Sequence, residues 1–541
     1  MPTRDELLLV LDLTSTILRA GVGVTDLIRG PLVELPTRLG RKLGTTGNKV
    51  EDFLVGPQLF EAEQRVRQGE IKDFENVECV RVDERKGMEV TDWVGLEAVF
   101  RYALHTSLAL SRPPLANNTV LCVPPSLPPL LLDRLHALLF ERLLVPQLLL
   151  STRPFFAAAA AGVLSAVVLD IGYRGEGSEV SAVHENAVLE ASGGLRLPFV
   201  DEGVCDDYLA LRLLEADPKG VVDQLEAAKG SPLGPGELIY ALRAVVGELK
   251  TRDLIAFESP LLAELRGGAL GAGESRAEGD EAEFDVAKVI VEGKVNDLVK
   301  KSKGKGGKQE DEGDEGEFVT VANPFAPPPA PPSLDLTLEA APPAPHSTLR
   351  IGPTRHRYLE PLFFPSLISL LAPSNSSSPA AAQLGMTEYE RFAPGTSGAR
   401  EADVGGVHEA VGVVIARTED QDVRSAVSEN VVVVSSGRVA SIKALGSTLT
   451  ALLLPFRPDT DSQTLAAIAA EGGVPPVRGV RHARTPDYFA NFKERAGEWA
   501  CYLGGCIMGK LLIGDAQSKL FMSKADYAAH GPAYYRLLEG L

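Results

Sequence analysis

Two segments of this chain share a pattern that constrains the fold more than any other feature. "LLLVLDLTSTILRAGVG" (Leu7–Gly23) and "VVLDIGYRGEGSEVSAV" (Val167–Val183) each read as an apolar strand, an acid (Asp12 or Asp170), a tight turn and a second strand. That is the shape of a phosphate-holding hairpin, in which turn amides receive phosphates and the acid orients metal-bound water. A third segment, "VVVVSSGRVAS" (Val431–Ser441), is a buried-type strand ending in Ser435-Ser436-Gly437 before a helix-like stretch. Each is weak alone. A strand ending in Asp and then Gly is usually a plain turn, and a single Gly-rich loop often matches by chance. In order along one chain, the three suggest a two-lobed nucleotide clamp.

The rest of the chain fits an α/β body of that size. Its 541 residues suffice for two or more cores. Strand-like runs "LLLVLDL", "NTVLCVPPS" and "LSAVVLDIG" alternate with helical signals. In "LPPLLLDRLHALLFERLLV", Leu131, Leu135, Leu138 and Leu139 share one helical face, with Asp133, Arg134 and Arg142 largely off it. "PFFAAAAAGVLSAVVL" (Pro154–Leu169) is too short for a membrane span and reads as a buried helix running into a buried strand. Composition then changes. Residues 1–265 form the first part of the body, and 266–346 are a low-complexity insertion. Within the insertion an ordered island is expected near 284–299, followed by a basic run (Lys300–Lys308) and an acidic run (Glu310–Glu317). Residues 347–541 resume the body, with a Ser/Ala-rich flexible loop expected at 372–403.

Several classes are excluded or disfavoured. The net charge of −19 argues against a general nucleic-acid surface. Five scattered cysteines give no disulfide framework and no zinc-type pair, which points to a reducing compartment. Eight scattered histidines give no metal-ligand spacing. The charged start "MPTRDELLLV" argues against a signal peptide. "GYRGEG" precedes a strand-like segment rather than a helix, so it is not a dinucleotide fingerprint. The basic run fits a nuclear localisation signal, but more often such a run is a solvated linker.

The ordered set resembles the actin-related family, within the actin, Hsp70 and sugar-kinase fold. "LRIGPTRHRYLEPLFFPS" (Leu349–Ser366) is similar to actin's I-x-I-G-x-x-R-F-x-x-P-E-x-L-F-x-P-S, and "GVHEAV" (Gly406–Val411) to G-I-H-E-T. "WACYLGGCIMGKLL" followed by "LFMSKADYAAHGP" (Leu520–Pro532) is similar to W-x-G-G-S-I-L and W-I-S-K-x-E-Y-D-E-x-G-P. "EVTDWVGLEAVFRYAL" (Glu89–Leu104) is similar to V-T-N-W-D-D-M-E-K-I-W. The resemblance covers most of the chain outside 266–346 and 372–403, and it implies an actin-like two-lobed α/β fold.

The departures from actin share one direction. Actin's first hairpin reads D-N-G-S-G; here it is Asp12-Leu13-Thr14-Ser15-Thr16. Glycine admits close phosphate approach and positive φ, which a β-branched residue resists. Ser15 and Thr16 still offer hydroxyls. The family's lysine falls at Arg19. In the second hairpin Asp170 and Gly172 match, the second acid falls on Tyr173 or Arg174, and Glu176 lies too far along to match. A gap-free count back from Asp170 places actin's water-positioning glutamine at Arg153, which cannot accept a hydrogen bond. The adenine-side glutamate falls at Thr251, after Lys250, and S-G-G-T becomes Ser435-Ser436-Gly437-Arg438. The resemblance therefore implies a degenerate pocket without hydrolysis and without a bound metal. Nucleotide is not expected as a resident cofactor, although weak ATP binding is left open. Asp12 and Asp170 are expected to serve turn geometry.

The body, the degenerate pocket and the long insertion resemble a divergent nuclear subtype within that family, found in SWI/SNF- and RSC-type chromatin remodellers. That resemblance implies a nuclear, non-catalytic scaffold paired with a second actin-related protein. The pair would hold the helicase-SANT-associated helix of the remodeller's ATPase subunit, with no membrane or direct nucleic-acid contact. By position, the helix groove would be lined by Gly162, Met508, Leu511 and Leu512, with Ala159 and Val188 opposite, although Leu511 or Leu512 is as readily core as groove. Alternatives are the pointed-end actin-related subunit of dynactin and a weak actin-like ATPase.

Overall fold

The computed structural model describes residues 7–23, 29–67, 71–83, 87–125, 127–189, 194–256, 259–262, 318–326, 347–402, 405–443, 445–453, 480–513 and 520–538. The expected island at 284–299 and the basic and acidic runs lie outside these residues.

The first lobe is built on a six-stranded sheet. Its strands include β1 (Leu8–Leu13), β2 (Ile17–Val22), β3 (Val33–Pro36), β4 (Asn118–Val123) and, after helix α1 (Pro129–Ala137), β5 (Gln147–Thr152). The order is Met522–Ser523, β5, β4, β1, β2, β3. Strands β1, β4 and β5 run parallel, while β1 and β2 form an antiparallel hairpin that places Asp12 opposite Arg19. Leu131, Leu135, Leu138 and Leu139 are buried as their shared face requires, while Arg134 and Arg142 are exposed.

Helix α2 (Arg153–Ala161) follows β5 directly. Its sequence explains its bounds. Pro154 stands in the first turn, where its missing N–H costs nothing, and five successive alanines favour helix. Gly162, at φ 69°, ends it in the left-handed conformation.

The second lobe carries another sheet, with β6 (Ala166–Ile171) and β7 (Ser178–His184) as its hairpin. Helices α3 (Glu202–Ala216) and α4 (Pro235–Thr251) pack on each other in this lobe, and β8 (Asn430–Ser435) lies parallel to β6. The sheet order is Ala187–Val188, β7, β6, β8, Arg481–His482, with Leu195–Leu197 also paired to β7. A strand, not a helix, follows "GYRGEG".

Helix α5 (Ala496–Ile513) pairs with α2 between the lobes. Its glycines allow that approach. A Cβ at Gly504 would overlap the Phe156 carbonyl, and one at Gly505 would lie 2.9 Å from Val10 Cγ1 of β1.

Strand alternation sorts the core. In β1, Leu9, Leu11 and Leu13 join the first-lobe core, while Leu8 and Val10 face the α2–α5 layer. In β6, Val167, Leu169 and Ile171 join the second-lobe core, while Ala166 and Val168 face the same layer. Asp12 and Asp170 continue the Leu8–Val10 and Ala166–Val168 registers. Both acids are thereby aimed at the start of α2, where Arg153 stands.

Two compositional expectations are corrected. Residues 372–403 were expected as a flexible loop, but short helices form at Pro379–Leu384, Thr387–Phe392 and Ser397–Ala402. Leu384, Tyr389 and Phe392 bury into the second-lobe core and supply the apolar surface that the Ser/Ala bias conceals. The insertion also ends earlier than 346 in part: Val319–Ala322 pairs antiparallel with Thr348–Ile351, burying Val321. The adjoining charge runs and prolines hide this short alternating strand from a composition reading.

Among the described residues, no helix is long and apolar enough to cross a membrane. All five cysteines are free and buried.

Candidate functional site: a nucleotide-type cleft filled by its own side chains

The two hairpins and the β8 turn meet between the lobes, as their order in the sequence suggests. Asp12 is fully buried and Asp170 is 8% exposed. Between them lies Arg153, itself 1% exposed. Its Nη1 donates to Asp12 Oδ1 at 2.6 Å, its Nε to Asp170 Oδ2 at 2.6 Å, and its Nη2 to Asp170 Oδ1 at 3.2 Å. One guanidinium therefore joins the terminal acids of β1 and β6 by charge-assisted bonds. Burial alone would push the Arg153 pKa down, but Asp12 and Asp170 outweigh it and hold the group charged, well above its ordinary value. The expectation that these acids serve turn geometry is corrected: their side chains are ion-paired across the lobes.

Arg19, also fully buried, donates from Nη1 to Asp12 Oδ2 at 3.4 Å. Its Nη2 donates to the Ser436 carbonyl at 2.5 Å and to Glu498 Oε1 at 3.0 Å. It ties β2 to the β8 turn and to α5.

The first hairpin turns without glycine because it needs no positive φ: Thr14, Ser15 and Thr16 all keep negative values. Thr14 N bonds to the Ile17 carbonyl at 2.9 Å, and Thr14 Oγ1 accepts from Thr16 N at 3.3 Å and Ile17 N at 3.1 Å. The remaining donors converge on Glu176 of the opposite hairpin. Glu176 Oε1 accepts from Ser15 Oγ at 2.6 Å, Thr16 N at 3.1 Å and Thr16 Oγ1 at 3.1 Å. Its Oε2 accepts from Tyr173 N at 2.7 Å. A carboxylate thus occupies a cradle of two amides and two hydroxyls drawn from both hairpins. Gly172 lets it lie there, since a Cβ at that position would overlap Glu176 Cβ and the Gly177 carbonyl.

The third element repeats the arrangement with a different acid. Glu202, at the start of α3, accepts from Arg438 N (Oε1) and Val439 N (Oε2), each at 3.0 Å. A Cβ on Gly437 would overlap Glu202 Oε2, so glycine permits this approach. Ser435 Oγ donates to the Gly437 carbonyl at 2.6 Å and fixes the turn. Lys250 Nζ donates to Glu202 Oε1 and Asp206 Oδ1, both at 2.6 Å. Burial lowers the Lys250 pKa, yet Glu202 and Asp206 raise it further, so the ammonium is retained. Thr251 stands apart: it is exposed, and its hydroxyl bonds back to the Gly247 carbonyl at 2.8 Å.

Behind the second turn, Asp201 caps α3 by accepting from Val204 N at 2.9 Å and also accepts from Gly175 N at 2.7 Å. Burial pushes its pKa up to about 6 despite those bonds.

A cavity of about 50 Å³ remains at this junction, lined by Thr14, Ser15, Arg153, Asp170, Gly172 and Glu176 among others. Ligand sites are roughly 300–1,000 Å³, whereas this space suits only a few waters. The residues present do not fit a magnesium nucleotide. A fixed cation already pairs with both acids, and a fixed anion already engages the hairpin donors. Among the described residues, no cluster of His, Cys, Asp and Glu has the make-up of a metal site.

The groove residues fall along the margin of the α2–α5 pair. Val188, Met508 and Leu512 are half-buried and pack on the core beneath these helices. Ala159 is half-buried near the end of α2, and Gly162 is exposed just beyond it. Leu511 is 65% exposed, so it is not core. The residues that sequence reasoning missed are Glu176 and Glu202. For Glu176 the signal present was a carboxylate inside an anion-holding turn, an inversion of the charge such a turn receives; Glu202 lies 236 residues from the Arg438 amide that it engages and carried no local signal.

Residues 4–198 match the family model described as Actin. The match spans both hairpins, including Asp12, Arg153, Asp170 and Glu176. No curated protein matches the chain. Residues 4–198 thus carry an actin-type domain, and the fold is actin-like α/β.

Proposed function

We propose that the chain is a non-catalytic actin-related scaffold subunit of a SWI/SNF- or RSC-type chromatin-remodelling complex, located in the nucleus. The observation that carries the non-catalytic part is Arg153. A buried guanidinium held by Asp12 and Asp170 stands where a hydrolytic site needs a residue that can position water and acids free to orient a metal. An arginine has no acceptor for either task.

The assignment to remodellers rests on resemblance to actin-related protein 9 in three segments: "LVELPTRLGRKLG" (Leu32–Gly44), "DVAKVIVEGK" (Asp285–Lys294) and "TPDYFANFKERAGEWACYLGG" (Thr485–Gly505). In this reading the chain pairs with a second actin-related protein, and the pair clasps the helicase-SANT-associated helix. The accessible apolar margin of Val188, Met508, Leu511 and Leu512 suits the apolar stripe of such a helix, and methionine suits an adaptable groove. The test is binding of the purified chain, alone and with its actin-related partner, to a synthetic helix of this type. Binding is expected; absence in both formats rejects the reading, as does co-purification with dynactin subunits instead of remodeller subunits. A single-turnover assay with labelled ATP is expected to release phosphate no faster than buffer. Release that Asp12→Ala abolishes would instead establish an ATPase.

A further inference from the structure

We propose that Glu176 and Arg153 act as a built-in ligand that holds the two lobes closed without nucleotide. Asp12 and Asp170 on one side, and the donors of Ser15, Thr16 and Tyr173 on the other, are each met by a side chain of opposite character. Glu176 is anionic, and it receives Ser15 and Thr16 from the first lobe while anchored to Tyr173 N in the second. Arg153 is cationic and joins Asp12 of β1 to Asp170 of β6. Arg19 adds a third tie, from β2 of the first lobe to the Ser436 carbonyl in the second. A phosphate bridging two hairpins joins the lobes only while it is bound. A carboxylate on the chain has no dissociation step and an effective concentration set by its tether.

Lobe closure is thus a fixed property of this chain, independent of nucleotide, magnesium and chelator. The Glu176 cradle remains a latent anion site: it has the chemistry for a phosphate or pyrophosphate and is closed to them only by its own side chain. This inference does not rest on the remodeller reading; failure of helix binding would leave it untouched.

The experiment uses the full chain with one fluorophore per lobe. The five native cysteines are buried, so labels can be directed to Glu61→Cys and Ala227→Cys, both at exposed positions. The otherwise unchanged chain is expected to show one transfer efficiency with EDTA, magnesium ATP or sodium pyrophosphate. Glu176→Ala is expected to lower the efficiency, and pyrophosphate to restore it and raise the melting temperature. Glu176→Gln keeps the size without the charge, and it carries the test if the alanine variant does not fold. It is expected to fall between the two. Unaltered efficiency in a folded Glu176 variant would overturn the proposal, as would a pyrophosphate response in the unchanged chain equal to that of the variant.

Discussion

Arg153 Nη1 lies 2.6 Å from Asp12 Oδ1, with both side chains sealed from solvent at the meeting of β1 and α2. The same guanidinium reaches Asp170 of β6 at 2.6 Å, so one residue links the acids of the two hairpins across the lobes. Removing one partner of such a group leaves buried charge without compensation, which costs about 3–5 kcal/mol. Arg153→Met is therefore expected to lower the denaturant midpoint strongly. Adding Asp12→Asn and Asp170→Asn to it should recover much of the loss, because neither acid is then left charged without Arg153, and Arg19, which loses Asp12, keeps Glu498. Non-additivity of that size in the urea midpoints is the measurement.

Gly504 sets how closely α5 approaches α2. Gly504→Ala would place a methyl group against the Phe156 carbonyl, which is backbone and cannot turn aside. Overpacking of this kind costs about 1–3 kcal/mol. Gly236→Ala is the control, since a Cβ there has nothing within 4 Å. Thermal melts of the two variants should separate clearly.

Leu511 tests the groove without touching the fold. At 65% exposure it contributes little to the core, so Leu511→Asp is expected to change stability by no more than about 0.5 kcal/mol. The same change should weaken binding of the partner helix, read by titration calorimetry. Intact stability with unchanged helix affinity would remove Leu511 from the groove.

Two groups shifted by desolvation, half-buried His482 and buried Asp201, give opposite pH slopes. Burial and the neighbouring Arg484 push the His482 pKa down to about 4. Its contribution is present above the unfolded value near 6.5 and is lost as pH falls through 4. Burial pushes Asp201 up to about 6, so its contribution is full below the unfolded value near 3.9 and is lost as pH rises through 6. His482→Gln should therefore lose less stability than the unchanged chain between pH 6.5 and 4. Asp201→Asn keeps the helix cap, and its stability relative to the unchanged chain should improve from pH 4 to 7. Urea midpoints at three pH values check both signs.

The thiols are inert in the folded state. Burial raises the pKa of all five, Cys506 to about 12, and the thiolate is the reactive form. An aromatic disulfide reagent is expected to react negligibly with the native chain and with five thiols in denaturant.

The apolar strands, the leucine face of α1 and the alanine run of α2 were legible because each rests on local periodicity or propensity, which neighbours three or four residues away suffice to express. The acids ending β1 and β6 were legible for the same reason. Their use was not. Arg153 reads as the loss of a water-positioning residue, and only the tertiary placement of β1 and β6, in separate sheets, shows that it stands between two acids. Glu176 is displaced along the second hairpin from the position of actin's second acid, so no motif points to it. Yet it meets Ser15 and Thr16 from 161 and 160 residues away, a pairing that no window of sequence contains. The helices between 379 and 402 were hidden by small polar residues that bias composition toward loop, although Leu384, Tyr389 and Phe392 carry the burial.

By itself, the sequence determined an α/β body and two acid-bearing hairpins, because backbone propensity and side-chain alternation are local; that the first turn lacks glycines a phosphate loop would carry is what the resemblance to actin implies. The tertiary structure decided what fills the cleft between the hairpins. Whether a charge is a vestige or a ligand depends on which opposite charge the fold brings within about 3 Å and whether water is kept out. Here both conditions are set by strands and helices far apart in the chain.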